Sequence, residues 1–324
     1  MKHRQLIERF GSASRALHDG FSRAVQSSAL AEADAMLVSA AARGLRLITN
    51  LDESYPATLG DLHNPPAVLW ARGELSALRE PVVAVVGTRR ATSYGLRVTR
   101  EIVTALARGG ASIVSGMALG IDAAAHMAAL EVGNHTIAIL GTGADVAYPR
   151  AHVALHRELG IRALVLSEMP PGARSDPGSF PRRNRIIAAL ATVTIVVEAP
   201  ARSGALLTSG HALELGRDVA AVPGPIDSPQ SVGTNELIRD GAHVITSTAD
   251  ALRLVGLEVL PKLRPEISNA TELRIWNALE PGAATLDELC ARAAIPVTEC
   301  MVAVTGLELR GIVECALTGE IRRR

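Results

Sequence analysis

The residues of this 324-residue chain best suited to chemistry are cationic and sit beside glycine-rich turns. The segment Phe180-Pro-Arg-Arg-Asn-Arg-Ile-Ile places Arg182, Arg183 and Arg185 within four positions. A guanidinium forks onto phosphate oxygens, the Asn184 amide offers both donor and acceptor, and Phe180 presents a ring face for stacking. Positive charge just before an apolar helical stretch opposes the helix dipole, a cost that an anionic ligand offsets. A second basic cluster begins at Gly87-Thr88-Arg89-Arg90, and residues 81–110 carry five arginines against one acid, Glu101. Further glycines and hydroxyls lie in Ser115-Gly116-Met-Ala-Leu-Gly120, Gly141-Thr-Gly, Ser203-Gly204-Ala-Leu-Leu-Thr208 and Pro223-Gly224. Turns of this kind let backbone N–H groups approach an anion, so several along one edge suit a ligand with several phosphates.

Other chemistries fail on residue type or spacing. The only lysines are Lys2 and Lys262, and neither follows a phosphate-binding loop of the nucleoside-triphosphatase kind. Gly141-Thr-Gly-Ala-Asp-Val has Val146 where a dinucleotide fingerprint needs its third glycine or alanine. Asp122 and His126, four apart on a predicted helix, read as support for the helix start and a packed ring rather than an acid–base pair. Glu168 and Glu198 end strands near the same edge, yet no serine has an evident His/Asp pair. The nine histidines show no metal-ligand spacing. No catalytic residue, metal or cofactor is expected. Cys290, Cys300 and Cys315 fall outside any zinc pattern and read as reduced packing residues.

The elements that must position these residues follow from hydropathy. The chain is 48% hydrophobic with a mean hydropathy of +0.22, and its 33 basic and 33 acidic residues cancel. The longest apolar run, Ile186–Val197, is shorter than the roughly 18 residues of a membrane span. Charges near Met1 exclude a signal peptide, so a soluble, cytoplasmic protein with no membrane partner is expected. Short β-branched runs at 82–86, 112–115, 136–140, 163–166, 193–197, 219–222 and 243–245 alternate with Ala/Leu-rich helical stretches. Strands that are apolar throughout imply a parallel sheet covered on both faces, hence an α/β doubly wound, Rossmann-like fold over 49–255. Residues 1–48 read as helices and 51–80 as a loop-rich approach. Pro261 and Pro265 mark a linker at 256–265. Three short helices and a hairpin over 266–324 suggest a winged-helix-like domain. Its residues 266–321 hold three arginines against nine acids, a charge that repels nucleic acid and favours a protein contact.

The motifs above resemble one family. In order along the chain they are Gly87-Thr-Arg-Arg-Ala-Thr-Ser-Tyr-Gly, Ser115-Gly-Met-Ala-Leu-Gly-Ile-Asp-Ala-Ala-Ala-His and Leu140-Gly-Thr-Gly-Ala-Asp-Val-Ala-Tyr-Pro. Phe180-Pro-Arg-Arg-Asn-Arg-Ile-Ile-Ala, Glu198-Ala-Pro-Ala-Arg-Ser-Gly-Ala-Leu-Leu-Thr and Gly233-Thr-Asn-Glu-Leu-Ile-Arg-Asp-Gly-Ala continue the series. Together they are similar to the DNA-processing protein A (DprA/Smf) family. The resemblance implies a homodimeric, non-enzymatic protein that binds single-stranded DNA without regard to sequence and protects it in natural transformation. It also implies loading of RecA recombinase past single-strand-binding protein. The site residues it implies are Gly87, Thr88, Arg89, Arg90, Ser115, Gly116, Gly120, Phe180, Arg182, Arg183, Asn184, Arg185, Ser203, Gly204 and Thr208. Residues 1–48 would be part of the family's SAM or helix-hairpin-helix-like helical unit. The alternative is a nucleotide-binding enzyme of the phosphoribohydrolase type, but Pro200-Ala-Arg-Ser-Gly-Ala lacks the Pro-Gly-Gly-x-Gly-Thr stretch and glutamate of those enzymes.

Overall fold

The computed structural model describes residues 3–176, 178–258, 267–280, 282–316 and 319–323. The chain forms two compact units, residues 1–259 and 260–324. The linker expected at 256–265 lies, from residue 259 onward, outside the described residues, as do both prolines that marked it.

The larger unit opens with three helices, α1 (His3–Phe10), α2 (Ala13–Gly20) and α3 (Arg23–Ala42). Ser12 and Ser22 cap α2 and α3 by accepting from Arg15 N and Val25 N. The strands are β1 (Arg46–Thr49), β2 (Val68–Gly73), β3 (Val82–Val86), β4 (Ser112–Ser115), β5 (Thr136–Leu140), β6 (Leu164–Ser167), β7 (Val193–Val196), β8 (Asp218–Ala221) and β9 (His243–Val244). Between them run α4 (Ser93–Arg108), α5 (Ile121–Glu131), α6 (Val153–Arg162), α7 (Ser179–Leu190), α8 (Gly204–Glu214), α9 (Val232–Arg239) and α10 (Thr248–Leu254).

The nine-stranded sheet has the order β1-β2-β6-β5-β4-β3-β7-β8-β9. From β6 to β9 every pairing is parallel, as expected for strands apolar on both faces. The sheet is nonetheless mixed: β1 and β2 add an antiparallel edge, pairing Trp70 with Ser167 of β6. The 51–80 segment is therefore not all loop. The prolines before β2 and Gly73 at its end punctuate the segment as a loop, while Val68-Leu-Trp-Ala between them is a strand buried on both faces from Leu69 to Ala71. Alternation along β3 divides the core: Val82, Ala84 and Val86 pack with Ile186 and Ile187 of α7, while Val83 and Val85 pack with Ile102 of α4 and Ile121 of α5. The chain steps outward from β3 to β6, then returns to place β7 on the other side of β3. This reversal is the switch point where ligands of doubly wound sheets bind, outside the carboxyl ends of the strands.

The smaller unit contains α11 (Ala270–Ala278), β10 (Ala284–Thr285), α12 (Leu286–Ala293), α13 (Val297–Leu309), β11 (Val313–Cys315) and β12 (Glu320–Arg323). The three helices and the β11–β12 hairpin match the expected winged-helix pattern, and β10 joins as a third strand. Leu317, read into the hairpin, lies outside the described residues. Cys300 is buried in this core, Cys290 is half-buried against it and Cys315 is exposed. Among the described residues no single helix is long and apolar enough to cross a membrane.

Candidate nucleic-acid interface

The site forms where the loop after β3 meets the loops after β4 and β5 and the start of α7. Thr88 is buried and rigidly held. Its N–H donates to Glu198 O at 2.7 Å, its carbonyl accepts from Ile121 N at 3.3 Å and its hydroxyl accepts from Arg90 N at 3.2 Å. These bonds tie the turn to β7 and α5 and turn Arg89 and Arg90 outward, both exposed. Gly120 is required beside it: it has a φ of +77°, and a Cβ there would lie 2.3 Å from Thr88 O.

The Ser115-Gly-Met-Ala turn does not keep its N–H groups for a phosphate. Gly116 N and Ala118 N donate to Asp122 Oδ2 at 3.1 and 3.3 Å, and Gly87 N–H points at the same carboxylate. The buried carboxylate of this chain occupies the anion seat that glycine spacing assigned to a ligand. Burial pushes the Asp122 carboxyl above its usual range, and Arg183 and the three N–H groups pull it back. Ser115 likewise is committed, its hydroxyl donating to Val85 O at 2.7 Å inside the core.

Helix α7 begins at Ser179, ahead of its apolar stretch, so Phe180 and the arginines lie on its first two turns. Pro181 is at the third helical position, where the N–H it lacks has no intrahelical acceptor. The four polar residues then point four ways. Arg182 is exposed and pairs with Asp176 at 2.8 Å. Arg183, only 6% exposed, turns inward: Nη1 donates to Gly116 O at 2.6 Å and also to Ile139 O, and Nε donates to Asn184 Oδ1 at 3.2 Å. Burial draws its guanidinium down to about 10, against the pull of Asp122. Arg185 donates to both oxygens of Glu168 at 2.7 Å, away from Arg89's cluster. Asn184 donates to Gly204 O at 3.2 Å and so links α7 to the start of α8. There Ser203 caps the helix, accepting from Ala205 N at 3.3 Å, and the buried Thr208 hydroxyl faces Gly204 O at 3.5 Å.

Arg89, Arg90 and Arg182 therefore supply the outward-facing positive charge, and among the described residues the first two have no acidic partner within 4 Å. The Arg89 guanidinium lies 5.5 Å from the Phe180 ring centroid. Tyr148, on the loop after β5, packs on Phe180 with centroids 5.0 Å apart and planes tilted by 38°. Arg89, Phe180 and Tyr148 thus form a column in which the half-buried Phe180 ring lies between two exposed side chains. The column borders a cavity of about 80 Å³ whose floor is Gly116, Leu140 and Gly141 over Arg183. Sequence reasoning read Tyr148 only as part of a motif; its signal was scarcity, as one of eight aromatic side chains in the chain.

Beneath this floor His126 is fully buried, with Nδ1 2.7 Å from Thr136 Oγ1. Burial, then Arg183 and His152, draw its imidazole down to about 3. The unfolded chain takes up a proton near pH 6.5 that the folded chain refuses, so this contribution is complete above pH 6.5 and is lost as pH falls toward 3. Thermal unfolding should show about 2 kcal/mol less stability from this residue at pH 5 than at pH 7.5. A His126→Gln variant should flatten that part of the profile; an unchanged slope would refute the assignment.

Comparison with known proteins identifies the family. The family model for DNA recombination-mediator protein A matches residues 46–256, and that for the DprA winged helix domain matches 261–316. The DNA processing protein DprA of Streptococcus pneumoniae is 46% identical over 202 residues, covering 62% of this chain and 71% of that protein. The putative DprA of Mycobacterium tuberculosis is 38% identical over 294 residues, covering 84% and 76%. The crystal structure of Streptococcus pneumoniae DprA superposes with a TM-score of 0.69 at 38% identity, covering 78% of this chain and 91% of that one. DNA processing protein A from Helicobacter pylori, solved to explain its single-stranded DNA binding mode, superposes at 0.59 with 32% identity, covering 64% and 94%. Sheet order, site geometry and these matches agree that the chain belongs to the DNA recombination-mediator protein A (DprA) family.

Proposed function

We infer that this protein binds single-stranded DNA at the carboxyl edge of its sheet and delivers the strand to RecA recombinase. The observation that carries the reading is the Arg89–Phe180–Tyr148 column at the mouth of the cavity, flanked by Arg90 and Arg182. Guanidiniums grip phosphates without regard to sequence, and an exposed ring stacks on any base. Duplex DNA hides its ring faces in the stack, so the column selects unpaired strands. The family model's description as a recombination mediator supports a hand-over to RecA, with displacement of single-strand-binding protein as part of that step. We place the protein in the cytoplasm as a homodimer acting on incoming DNA in natural transformation, by binding and not by catalysis.

The winged-helix unit is read as a protein contact. Helix α13 exposes Met301, Val302 and Leu309, and Arg310, the basic residue at its end, is engaged by Glu272. A labelled oligo-dT titrated at several salt concentrations tests the reading. Affinity should fall steeply with salt, with a log–log slope of about −0.7 per phosphate engaged, and duplex should bind more weakly. A chain ending at residue 258 should bind within about twofold of the full chain. A flat salt response, or preference for duplex, would overturn the assignment.

A further inference from the structure

The loop from Gly87 to Thr92 has a cavity at each end. Arg89 lines the one already described. Thr92, three residues on, lines a larger crevice of about 460 Å³ at the switch point between β3 and β7. Three residues of chain span at most about 10 Å, so a strand gripped at Arg89 is within a short step of this crevice.

Its walls are the Tyr94 ring and Pro223 and Pro225, and its floor is Glu198. The walls are fixed: the Tyr94 hydroxyl donates to Pro223 O at 3.0 Å, and the Asn235 amide clamps both Gly224 N and Gly224 O. Flat apolar surfaces of this kind suit a planar ring. Glu198 is only 2% exposed, yet among the described residues no cationic group lies within 4 Å of it. It accepts from Thr92 N at 2.9 Å and from the Thr92 hydroxyl, one bond to each oxygen. Support of the α4 start does not require it, because the Thr92 hydroxyl already caps that helix by accepting from Gly95 N at 3.1 Å. Each carboxylate oxygen accepts more than one bond. Among the described residues only Thr92 donates to this side chain, and the Ser228 and Ser231 hydroxyls line the crevice without bonding to it, so Glu198 can accept a further donor.

We propose that this crevice is a nucleobase subsite that selects a base bearing an exocyclic amino group over thymine, the amino group donating to Glu198. It rests on the single-stranded DNA reading and deepens it. Cytosine and thymine make the sharpest comparison, since they match in ring size while position 4 donates in cytosine and accepts in thymine; 5-methylcytosine in the same position controls for the methyl group of thymine. The base comes either from the bound strand or from a free nucleotide, and the two sources are separable.

The full chain is titrated with labelled oligo-dT, with the same strand carrying one central dC, and with free dCMP and dTMP. The dC strand should bind about three- to tenfold tighter than all-dT, the worth of one hydrogen bond. Glu198→Gln, whose amide turns a donor toward the base, should bring the dC strand down to the dT value. Ser228→Tyr, which fills the crevice and leaves Glu198 intact, should do the same and serves if the first variant fails to fold. Selectivity among free nucleotides as well as strands would assign the subsite to nucleotides; selectivity among strands alone assigns it to DNA. Equal binding of dC and dT strands by the wild type, or a dC preference that survives both substitutions, would overturn the subsite while leaving the DNA reading intact. Binding to no strand at all would remove the DNA reading itself.

Discussion

Arg183→Ala should destabilise the larger unit by about 2–4 kcal/mol, since each buried acceptor left without its donor costs about 1–3 kcal/mol. The substitution removes the donors to Gly116 O and Ile139 O and the positive charge that favours the ionised form of the buried Asp122. Gly116 also loses its reason to be glycine, since a Cβ there would lie 2.1 Å from the guanidinium. The chain has two tryptophans, so a Trp276→Phe background leaves Trp70 as sole reporter on this unit. Chemical denaturation followed at Trp70 should show the midpoint falling. Asp122→Asn in the same background should recover part of the loss, because a neutral amide no longer needs the cation. A cost below about 1 kcal/mol would show that Arg183 is free to face a ligand, contrary to the geometry described above.

Arg89→Ala and Tyr148→Ala should both weaken oligo-dT binding by about 1–3 kcal/mol, and salt should tell them apart. Arg89 contributes charge and covers Phe180, so its loss should reduce the salt slope by about 0.7. Tyr148 contributes a ring face only, so affinity should fall at every salt concentration in parallel. Equal slopes in the two variants would remove Arg89 from the phosphate contacts. Full affinity in Tyr148→Ala would remove the stacking role.

Much of this was legible before any coordinates. The central strands declared themselves because parallel strands covered on both faces are apolar at every position, and β3, β4 and β5 lie at the residues expected. The antiparallel pair did not: β1 (Arg46–Thr49) lies at the end of the segment read as helices, and at β2 Pro65-Pro66 and Gly73 outweighed four strand-forming residues in any local reading. At the proposed site, residue type singled out Arg89 and Phe180, but type alone assigns every arginine of the α7 segment the same role. Which one turns inward depends on the carbonyls of Gly116 and Ile139, 67 and 44 residues away in sequence. The anion seat was misread for a related reason. Glycine spacing reveals that a turn can hold a negative charge but not whose charge it holds, and here it is Asp122, six residues from Gly116.

That internal carboxylate has a consequence for how a strand travels. Enzymes that seat a phosphate on fixed backbone N–H groups lock their ligand into one register. In this fold the seat is plugged from within, and the proposed DNA contacts fall to long, exposed guanidiniums and a ring face on the rim. Those contacts repeat identically at every nucleotide and can be exchanged one at a time. On the proposed reading the polymer creeps through the site without being released, which is what a hand-over to another filament would require.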